Sequence, residues 1–215
     1  MDALEQTIRA EKVGFDSVWA DDHFHPWYHD NAQSAQAWAW MGAALQATKK
    51  VFISTCITCP IIRYNPAIVA QTFATLRQMY PGRVGVAVGA GEAMNEVPVT
   101  GEWPTVPVRQ NMTVEAVKVM RMLWESDKPV TFKGDYFTLD KAFMYTKPDD
   151  EVPLYFSGMG PKGAKLAGMY GDHLMTVAAA PSTLKNVTIP KFEEGAREAG
   201  KDPSKMEHAM LIWYS

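Results

Sequence analysis

The eight residues from Asp21 to Tyr28 contain the side chains best suited to chemistry: two acids, two imidazoles, a proline and three aromatics. They follow a short apolar strand predicted over 17–20, and Pro26 ends the extended run because proline cannot donate to a strand ladder. Imidazoles and carboxylates act as general acids and bases, and α/β proteins keep such groups at the carboxyl ends of buried strands. We therefore predict that this stretch forms one side of an active site.

A second acid/base group follows a later strand, predicted over 84–88. Gly89 and Gly91 would let a flat ligand approach the backbone, and Glu92 would stand at the same rim as His23. We expect this imidazole and this carboxylate to lie on either side of one bound heterocycle and to exchange protons with it. A tight strand–helix turn without a ligand is the alternative interpretation of the Gly-x-Gly motif.

A third motif predicts an anion site. The segment from Ser157 to Gly163 joins a predicted strand to a predicted helix, and Pro161 suits the first helical position. Free backbone N–H groups at a helix start, together with the charge of Lys162, would attract a phosphate. Combined with the acid/base pair, this site suggests a redox enzyme whose planar cofactor carries a phosphate.

A zinc-dependent barrel hydrolase is a rival hypothesis for the first cluster. His23 and His25 alternate along the chain, so on a strand both would point the same way and could ligate zinc. Such a site needs further ligands from later strand ends. The later strands supply only His173 and His208, which begin their strands and are therefore expected at the opposite rim. A capped surface loop is the remaining alternative.

Thiol redox chemistry is disfavoured by the position of the two cysteines. Cys56 and Cys59 have the C-x-x-C spacing, but they lie in a segment predicted to be a strand over 51–58 and its end. A redox pair works with its first thiol at a helix N-terminus, whereas residues three apart on a strand face opposite ways.

The elements that must position these groups alternate between strand and helix. Helices are predicted over residues 2–13, 32–50, 66–80, 108–124, 161–169 and 181–199, the last interrupted at Pro190, with 97–107 as a loop. Strands are predicted over residues 15–20, 51–58, 84–88, 154–157, 173–177 and 208–214. Six alternations with short connections favour parallel βαβ units. The absence of G-x-G-x-x-G after the first strand disfavours a doubly wound dinucleotide fold.

These observations predict an α/β protein with a (β/α)8 TIM barrel that is incomplete in this chain. The chain begins on a helix and ends on a strand, as if the first strand and the C-terminal unit were missing. We expect residues 1–215 to form a single, partial barrel domain with a peripheral hairpin near 129–141, since the sequence there alternates around Gly134-Asp135.

The composition is that of a soluble globular protein with no macromolecular partner indicated. The 215 residues are 47% hydrophobic and 21% charged, and the net charge is −3. No basic block suggests nucleic acid or an anionic membrane, and no apolar run approaches the ~20 residues of a membrane span. Without a signal-peptide pattern at the N-terminus, the expected location is the cytoplasm.

Three blocks of sequence resemble one known family. They are Asp-His-Phe-x-Pro-Trp at 22–27, Thr-Cys-Ile-Thr-Cys-Pro at 55–60 followed by Arg-Tyr-Asn-Pro-Ala at 63–67, and Gly-x-Gly-Glu-Ala-x-Asn-Glu at 89–96. Their order and spacing resemble the luciferase-like superfamily, in the branch that uses coenzyme F420, an 8-hydroxy-5-deazaflavin. Members of that branch include secondary alcohol dehydrogenases and glucose-6-phosphate dehydrogenases, which are TIM barrels and usually homodimers.

The resemblance implies a role for each block. His23 would take the hydroxyl proton of an alcohol, Trp27 would help to hold the oxygen, and Glu92 would supply a proton toward N1 of the deazaflavin while hydride passes to its C5. A non-proline cis peptide is implied at Cys56–Ile57. The residues implied to contact the cofactor are Asp22, Cys56, Ile57, Cys59, Ala90, Gly91, Asn95, Met159, Gly160, Lys162 and Gly163. FMN is the alternative cofactor.

The segment after the strand at 173–177 separates the two substrate classes of this branch. It reads Ala-Ala-Ala-Pro at 178–181, where the sugar-phosphate enzymes of the family carry a lysine that holds the phosphate. A phosphate dianion would lose a charge-assisted contact there. The resemblance therefore favours an F420-dependent oxidoreductase that acts on a small neutral secondary alcohol. A glucose-6-phosphate dehydrogenase and a catalytically silent flavin-binding relative are the alternatives.

Overall fold

Parallel strands form the centre of the fold in the computed structural model, which describes residues 3–212. In chain order the strands are β1 (Ser17–Ala20), β2 (Phe52–Thr55), β3 (Val86–Val88), β4 (Val130–Lys133), β5 (Thr138–Ala142), β6 (Leu154–Ser157), β7 (His173–Val177) and β8 (His208–Leu211). The helices are α1 (Ala3–Lys12), α2 (Ala37–Ala47), α3 (Pro66–Met79), α4 (Ala93–Thr100), α5 (Val106–Glu125), α6 (Pro161–Tyr170), α7 (Pro181–Thr183) and α8 (Ile189–Glu198). None of these helices is long and apolar enough to cross a membrane.

Six of the strands run parallel in the order β1-β2-β3-β6-β7-β8. β1 pairs with β2, and β3, β6, β7 and β8 form one four-stranded ladder. Two bridges connect β2 to β3, between Ile53 and Val84 and between Thr58 and Val88. Because each strand lies beside its neighbour in the chain, with helices between them, the order is that of a barrel wall. β4 and β5 form the antiparallel hairpin predicted near 129–141.

The two faces of this wall have different roles. Side chains such as Ile53, Val86 and Leu174 are fully buried against the helices in the main core. Alternate positions face the inside of the wall, where Trp19 and Tyr155 pack edge-on with ring centroids 4.9 Å apart. Past the strand ends this alternation is lost, and consecutive residues such as Asp21, Asp22 and His23 line the cavity described below.

Several predicted boundaries need correction. The segment predicted as a loop over 97–107 begins with the last turn of α4, which contains Pro98 and ends at Gly101 in the left-handed conformation, φ 73°. The helix predicted from residue 32 begins at Ala37, because the Gln36 side chain accepts a hydrogen bond of 2.7 Å from the N–H of Ala39 and caps the helix. β2 ends at Thr55 rather than residue 58.

The predicted interruption at Pro190 is also wrong. A π-helical turn, Leu184–Thr188, links α7 to α8, and the N–H of Ile189 bonds to the carbonyl of Leu184. Pro190 then occupies the first turn of α8, inside a helical run that is continuous from Pro181 to Glu198. The strand predicted to residue 214 is observed as β8, and residues 213–214 lie outside the described part of the chain.

Candidate active site

A cavity of about 670 Å³ opens at the carboxyl ends of the parallel strands. Its wall is built from the segments that follow β1, β2, β3 and β6, with Val177 and Leu211 from the ends of β7 and β8. Every residue predicted above for catalysis or for cofactor binding lines this cavity. Their roles stay predictions. The fold brings them together because the carboxyl ends of parallel strands share one rim.

His23 and Glu92 form a pair in the cavity wall. Nε2 of His23 lies 3.4 Å from Oε2 of Glu92, and Nδ1 lies 3.3 Å from the carbonyl oxygen of His25. A proton on Nδ1 satisfies that carbonyl, so Nε2 is the ring nitrogen left to exchange a proton with Glu92 or with a ligand. The Trp27 ring packs beside this imidazole, with centroids 5.1 Å apart.

The expected arrangement, with a heterocycle between the imidazole and the carboxylate, is wrong. At 3.4 Å the two groups are in contact, with no space for a ring between them. The reason is a single amide one turn into α4. Oδ1 of Asn95 accepts the N–H groups of Phe24 and His25, at 2.9 and 3.2 Å. Its Nδ2 donates to Oε2 of Glu92 at 3.3 Å, so Asn95 draws the two segments together.

Asp22 is held by the protein rather than left free in the cavity. Its carboxylate accepts hydrogen bonds from Thr58 Oγ1 at 2.8 Å and from the Tyr64 hydroxyl at 3.1 Å, and only 2% of the residue is exposed. Arg63 lies 3.3 Å from the same carboxylate and 3.7 Å from that of Glu96. Burial raises the pKa of Glu96, and Arg63 opposes that shift. This buried ion cluster fixes the start of the loop that follows β1.

The two cysteines form part of the cavity wall and are both free thiols. The Cys56–Ile57 peptide is cis, as the family resemblance implied. Burial is the main cause that raises the pKa of Cys56 to about 11, and burial likewise raises the pKa of Cys59. Gly91 has φ 76°, and a Cβ there would lie 2.5 Å from the Cys59 sulfur, so this close contact requires glycine.

The residues of the predicted anion site lie at the start of α6 and line the cavity. Gly160 is the N-cap without a side-chain cap, Pro161 is the first helical residue, and Lys162 follows. The first intrahelical bond runs from the N–H of Ala164 to the carbonyl of Gly160, which leaves the amides of Lys162 and Gly163 available to a ligand. These residues therefore suit a phosphate group.

Arg109 in α5 also lines the cavity, and the sequence analysis missed it. Its guanidinium donates to the carbonyl oxygens of Ala90, at 3.1 Å, and of Pro104, and it stacks 3.7 Å from the centre of the Trp103 ring. Burial lowers the pKa of this arginine. No motif marked it, because an arginine inside an amphipathic helix looks like an ordinary surface residue.

Among residues 3–212, no three histidine, cysteine or acidic side chains are placed so that they could share a metal ion. The described residues therefore contain no ligand set for the zinc hypothesis. The loop after β1 is irregular, so His23 and His25 do not project together as they would from a strand. As expected, His173 and His208 lie at the amino ends of their strands, where they line a separate cavity of about 460 Å³.

The model of the luciferase-like monooxygenase family matches residues 1–214. The chain belongs to this family. Among solved structures, the luciferase-like fold recurs at a TM-score of 0.81 in a coenzyme F420-dependent tetrahydromethanopterin reductase from Methanopyrus kandleri, 24% identical, which covers 97% of this chain and 62% of its own. The six-stranded wall is therefore part of a luciferase-like TIM barrel.

Two luciferase-like relatives are much closer in sequence. A solved structure of an F420-dependent secondary alcohol dehydrogenase in complex with an F420-acetone adduct is 97% identical, with a TM-score of 0.98, and covers 100% of this chain and 65% of its own. An F420-dependent glucose-6-phosphate dehydrogenase of Amycolatopsis mediterranei is 42% identical over 213 residues, 98% of this chain. The chain spans 64% of that relative's length.

Proposed function

We propose that this chain carries the active site of a coenzyme F420-dependent secondary alcohol dehydrogenase. The observation that carries the proposal is the 97% identity, across the whole chain, to an enzyme of that activity. The geometry is consistent with it, because an imidazole in contact with a carboxylate lies in a cavity whose wall also includes the start of α6.

The residues present fit a deazaflavin. The cavity volume of about 670 Å³ lies in the range of small-molecule sites, and the start of α6 with Lys162 would hold the phosphate. Cys56, Ile57 and Gly91 would form the wall against which a flat ring lies. When bound, the deazaflavin supplies the hydride acceptor, and the protein supplies orientation and proton transfer.

His23 is the proposed general base. Its Nδ1 is engaged by the carbonyl of His25, so Nε2, which lies 3.4 Å from Glu92, is the nitrogen proposed to take the proton of the substrate hydroxyl. Glu92 beside it stabilises the imidazolium that results. Trp27 packs against the imidazole and limits where the substrate hydroxyl can lie. Val177 and Leu211, at the ends of β7 and β8, give the cavity an apolar wall that excludes water.

Glucose-6-phosphate oxidation is the second candidate, favoured by the 42% identical relative. Against it, the segment after β7 contains no lysine, and the ends of β7 and β8 present Val177 and Leu211 to the cavity. A phosphate dianion placed there would lose its solvation without gaining a cation. The geometry therefore supports a small neutral alcohol better.

One titration separates these functions. Oxidised deazaflavin is added to the protein until its absorbance shows saturation, and 2-propanol or glucose 6-phosphate then follows. The proposal expects the deazaflavin absorbance to bleach with 2-propanol and to persist with glucose 6-phosphate. Uptake of the cofactor without bleaching by either compound would indicate a silent relative, and bleaching only with the sugar phosphate would favour the second candidate.

A further inference from the structure

The helix α4 is held in place by polar contacts rather than by an apolar core. Its buried residues are Asn95 and Glu96, both polar, whereas Val97 and Val99 are 39% and 46% exposed. Packing of an apolar face normally supplies most of the stability of a short helix, and Pro98 inside this one cannot donate a helical hydrogen bond. The position of α4 therefore depends on the few side chains that bond to it and to the segments on either side.

Arg109 of α5 connects the two ends of α4. Its Nε donates to the carbonyl oxygen of Ala90 at 3.1 Å, just before α4 begins, and its Nη1 donates to the carbonyl oxygen of Pro104, in the loop after α4 ends. The ring of Trp103, in the same loop, lies against the guanidinium at 3.7 Å. One side chain thus ties the segment that follows β3 and the loop that follows α4 to α5.

These contacts of Arg109 are made inside the protein. Only 8% of the residue is exposed, and within residues 3–212 it forms no ion pair with an acidic side chain. Arg63 and Arg77, by contrast, each contact a carboxylate. Burying a guanidinium without a counter-charge is costly unless its N–H groups are hydrogen-bonded. The two backbone carbonyls are therefore the partners that hold Arg109 in this position.

The segment that Arg109 holds carries several groups of the proposed site. Gly91 follows Ala90 in the cavity wall, and Glu92, the next residue, lies 3.4 Å from His23. Asn95, in the first turn of α4, accepts two N–H groups of the loop after β1. A displacement of α4 would therefore move the wall proposed for the deazaflavin and separate the carboxylate from the imidazole.

We propose that Arg109 is a positioning residue, whose bonds to both flanks of α4 keep the cavity wall in the arrangement that binds the cofactor. The inference rests on the proposed function, and it assigns Arg109 an effect that acts through α4 and not on the reacting atoms. When a binding site is formed only part of the time, the apparent Kd rises in inverse proportion to that fraction. A lysine keeps the charge but lacks the planar fork that donates to two carbonyls and stacks on an indole.

Two variants, Arg109→Lys and Arg109→Met, test this proposal with two measurements. Titration with oxidised deazaflavin, without substrate, is expected to give a Kd at least about tenfold above the wild-type value in both variants. Amide hydrogen exchange is measured on the ligand-free protein. Residues 91–104 are expected to exchange at least about tenfold faster in both variants, while the amides of β6 keep their wild-type rates, because the opening is local to α4 and its flanks.

Arg83→Lys is the matched control for a loss of stability alone. Arg83 also donates to backbone carbonyls, those of Leu45, Thr48 and Val51, but it is not among the residues that line the cavity. This variant is expected to lower the free energy of unfolding in urea and to leave the Kd for the deazaflavin within about twofold of the wild-type value, since the two sites are independent.

The possible results separate the proposal from the function on which it rests. Wild-type affinity in Arg109→Lys, unchanged exchange over 91–104, or an equal loss of affinity in Arg83→Lys would overturn the positioning role. Absence of deazaflavin uptake by the wild type would overturn it as well. Neither measurement requires turnover, so a wild type that takes up the deazaflavin but is not bleached by 2-propanol would reject the proposed function alone.

Discussion

At the scale of single residues, Asn95 connects the two segments on which the proposed chemistry depends. Its side chain accepts hydrogen bonds from the backbone N–H groups of Phe24 and His25 and donates a hydrogen bond to Glu92. The family resemblance implies that Asn95 contacts the cofactor, but the hydrogen bonds of its side chain are already made within the protein. We infer that its main contribution is to position the imidazole against the carboxylate.

Replacing Asn95 with Ala is therefore expected to lower kcat by about tenfold to a hundredfold, since small displacements of catalytic groups have effects of that size. The affinity for the deazaflavin should change by less than about threefold, because the residues proposed to hold it remain. Steady-state kinetics and cofactor titration measure both quantities. Asn111→Ala, on the exposed face of α5, is the matched control. A loss of cofactor affinity with kcat unchanged would instead support direct contact with the ring.

The loop after β1 shows what could be predicted at this scale. Asp21, Asp22 and His23 all line the cavity, as their position at a strand end predicts, and Asp22 is also buried and accepts a hydrogen bond from Thr58. The contact between His23 and Glu92 could not be predicted, because it depends on a side-chain amide that acts between residues about seventy positions apart.

At the scale of elements, a single carboxylate fastens the hairpin β4–β5 to α5. Glu115 is buried and accepts the N–H groups of Asp135, Tyr136 and Phe137 at 2.7 to 2.9 Å. A glutamine would present an NH₂ group to some of these donors and leave them unsatisfied. Glu115→Gln should therefore reduce the free energy of unfolding by about 1.5–3 kcal/mol.

Urea unfolding followed by circular dichroism measures the effect of Glu115→Gln. The control is Glu125→Gln at the exposed end of the same helix, which removes an acid from a helix C-terminus and should be neutral or slightly stabilising. Equal stability of the Glu115 variant and the wild type would mean that the hairpin does not depend on this carboxylate.

A second carboxylate makes the attachment of α1 depend on pH. Glu11 accepts the N–H groups of Lys49, Lys50 and Val51, and these bonds lower its pKa below the ordinary 4.5. A lowered pKa means that the folded state favours the ionised form, so the stabilisation is complete above the unfolded pKa. It is lost as the pH falls through the lower folded value.

Glu11→Gln is accordingly expected to be less stable than the wild type at pH 7, with a difference that shrinks steadily below about pH 4.5. Urea unfolding at a series of pH values tests this, and Glu5→Gln on the exposed face of α1 serves as the control. A difference that stays constant down to pH 3 would contradict the assignment.

Prolines explain why some elements were predicted and others were not. Pro66 and Pro161 stand at helix starts, where their fixed φ is an unambiguous signal, and both helices begin there. The loop predicted over 97–107 and the interruption predicted at Pro190 are the two places where a proline misleads. Pro98 lies inside a short helix, and Pro190 follows a π-helical turn that already accommodates it, a local arrangement that the sequence pattern does not specify.

At the scale of the whole molecule, the parallel order of six strands decides where the site forms. Chain order alone predicted the barrel class, since each strand–helix unit adds one strand beside the last. It also predicted that the polar and titratable side chains collect at one set of strand ends, and the cavity lies there. The alternation of strands and helices and the parallel direction of the strands therefore account for the barrel wall and for the position of its cavity.

Cofactor binding should stabilise the whole fold, because the cavity walls come from elements across the sheet. At a hundredfold excess over Kd, a ligand adds about 2.7 kcal/mol to the free energy of unfolding, or about 5–10 °C in Tm for a domain of this size. Differential scanning fluorimetry with deazaflavin and with FMN compares the two candidates. A larger shift with FMN would overturn the choice of cofactor.

The proposed function depends most directly on His23, and one rapid-mixing measurement tests it. Protein saturated with oxidised deazaflavin is mixed with 2-propanol, and the rate of bleaching is compared between the wild type and His23→Ala. The account predicts bleaching about 10²–10⁴-fold slower in the variant, with a cofactor Kd within about threefold of the wild-type value. Equal rates of bleaching in the two proteins would contradict it.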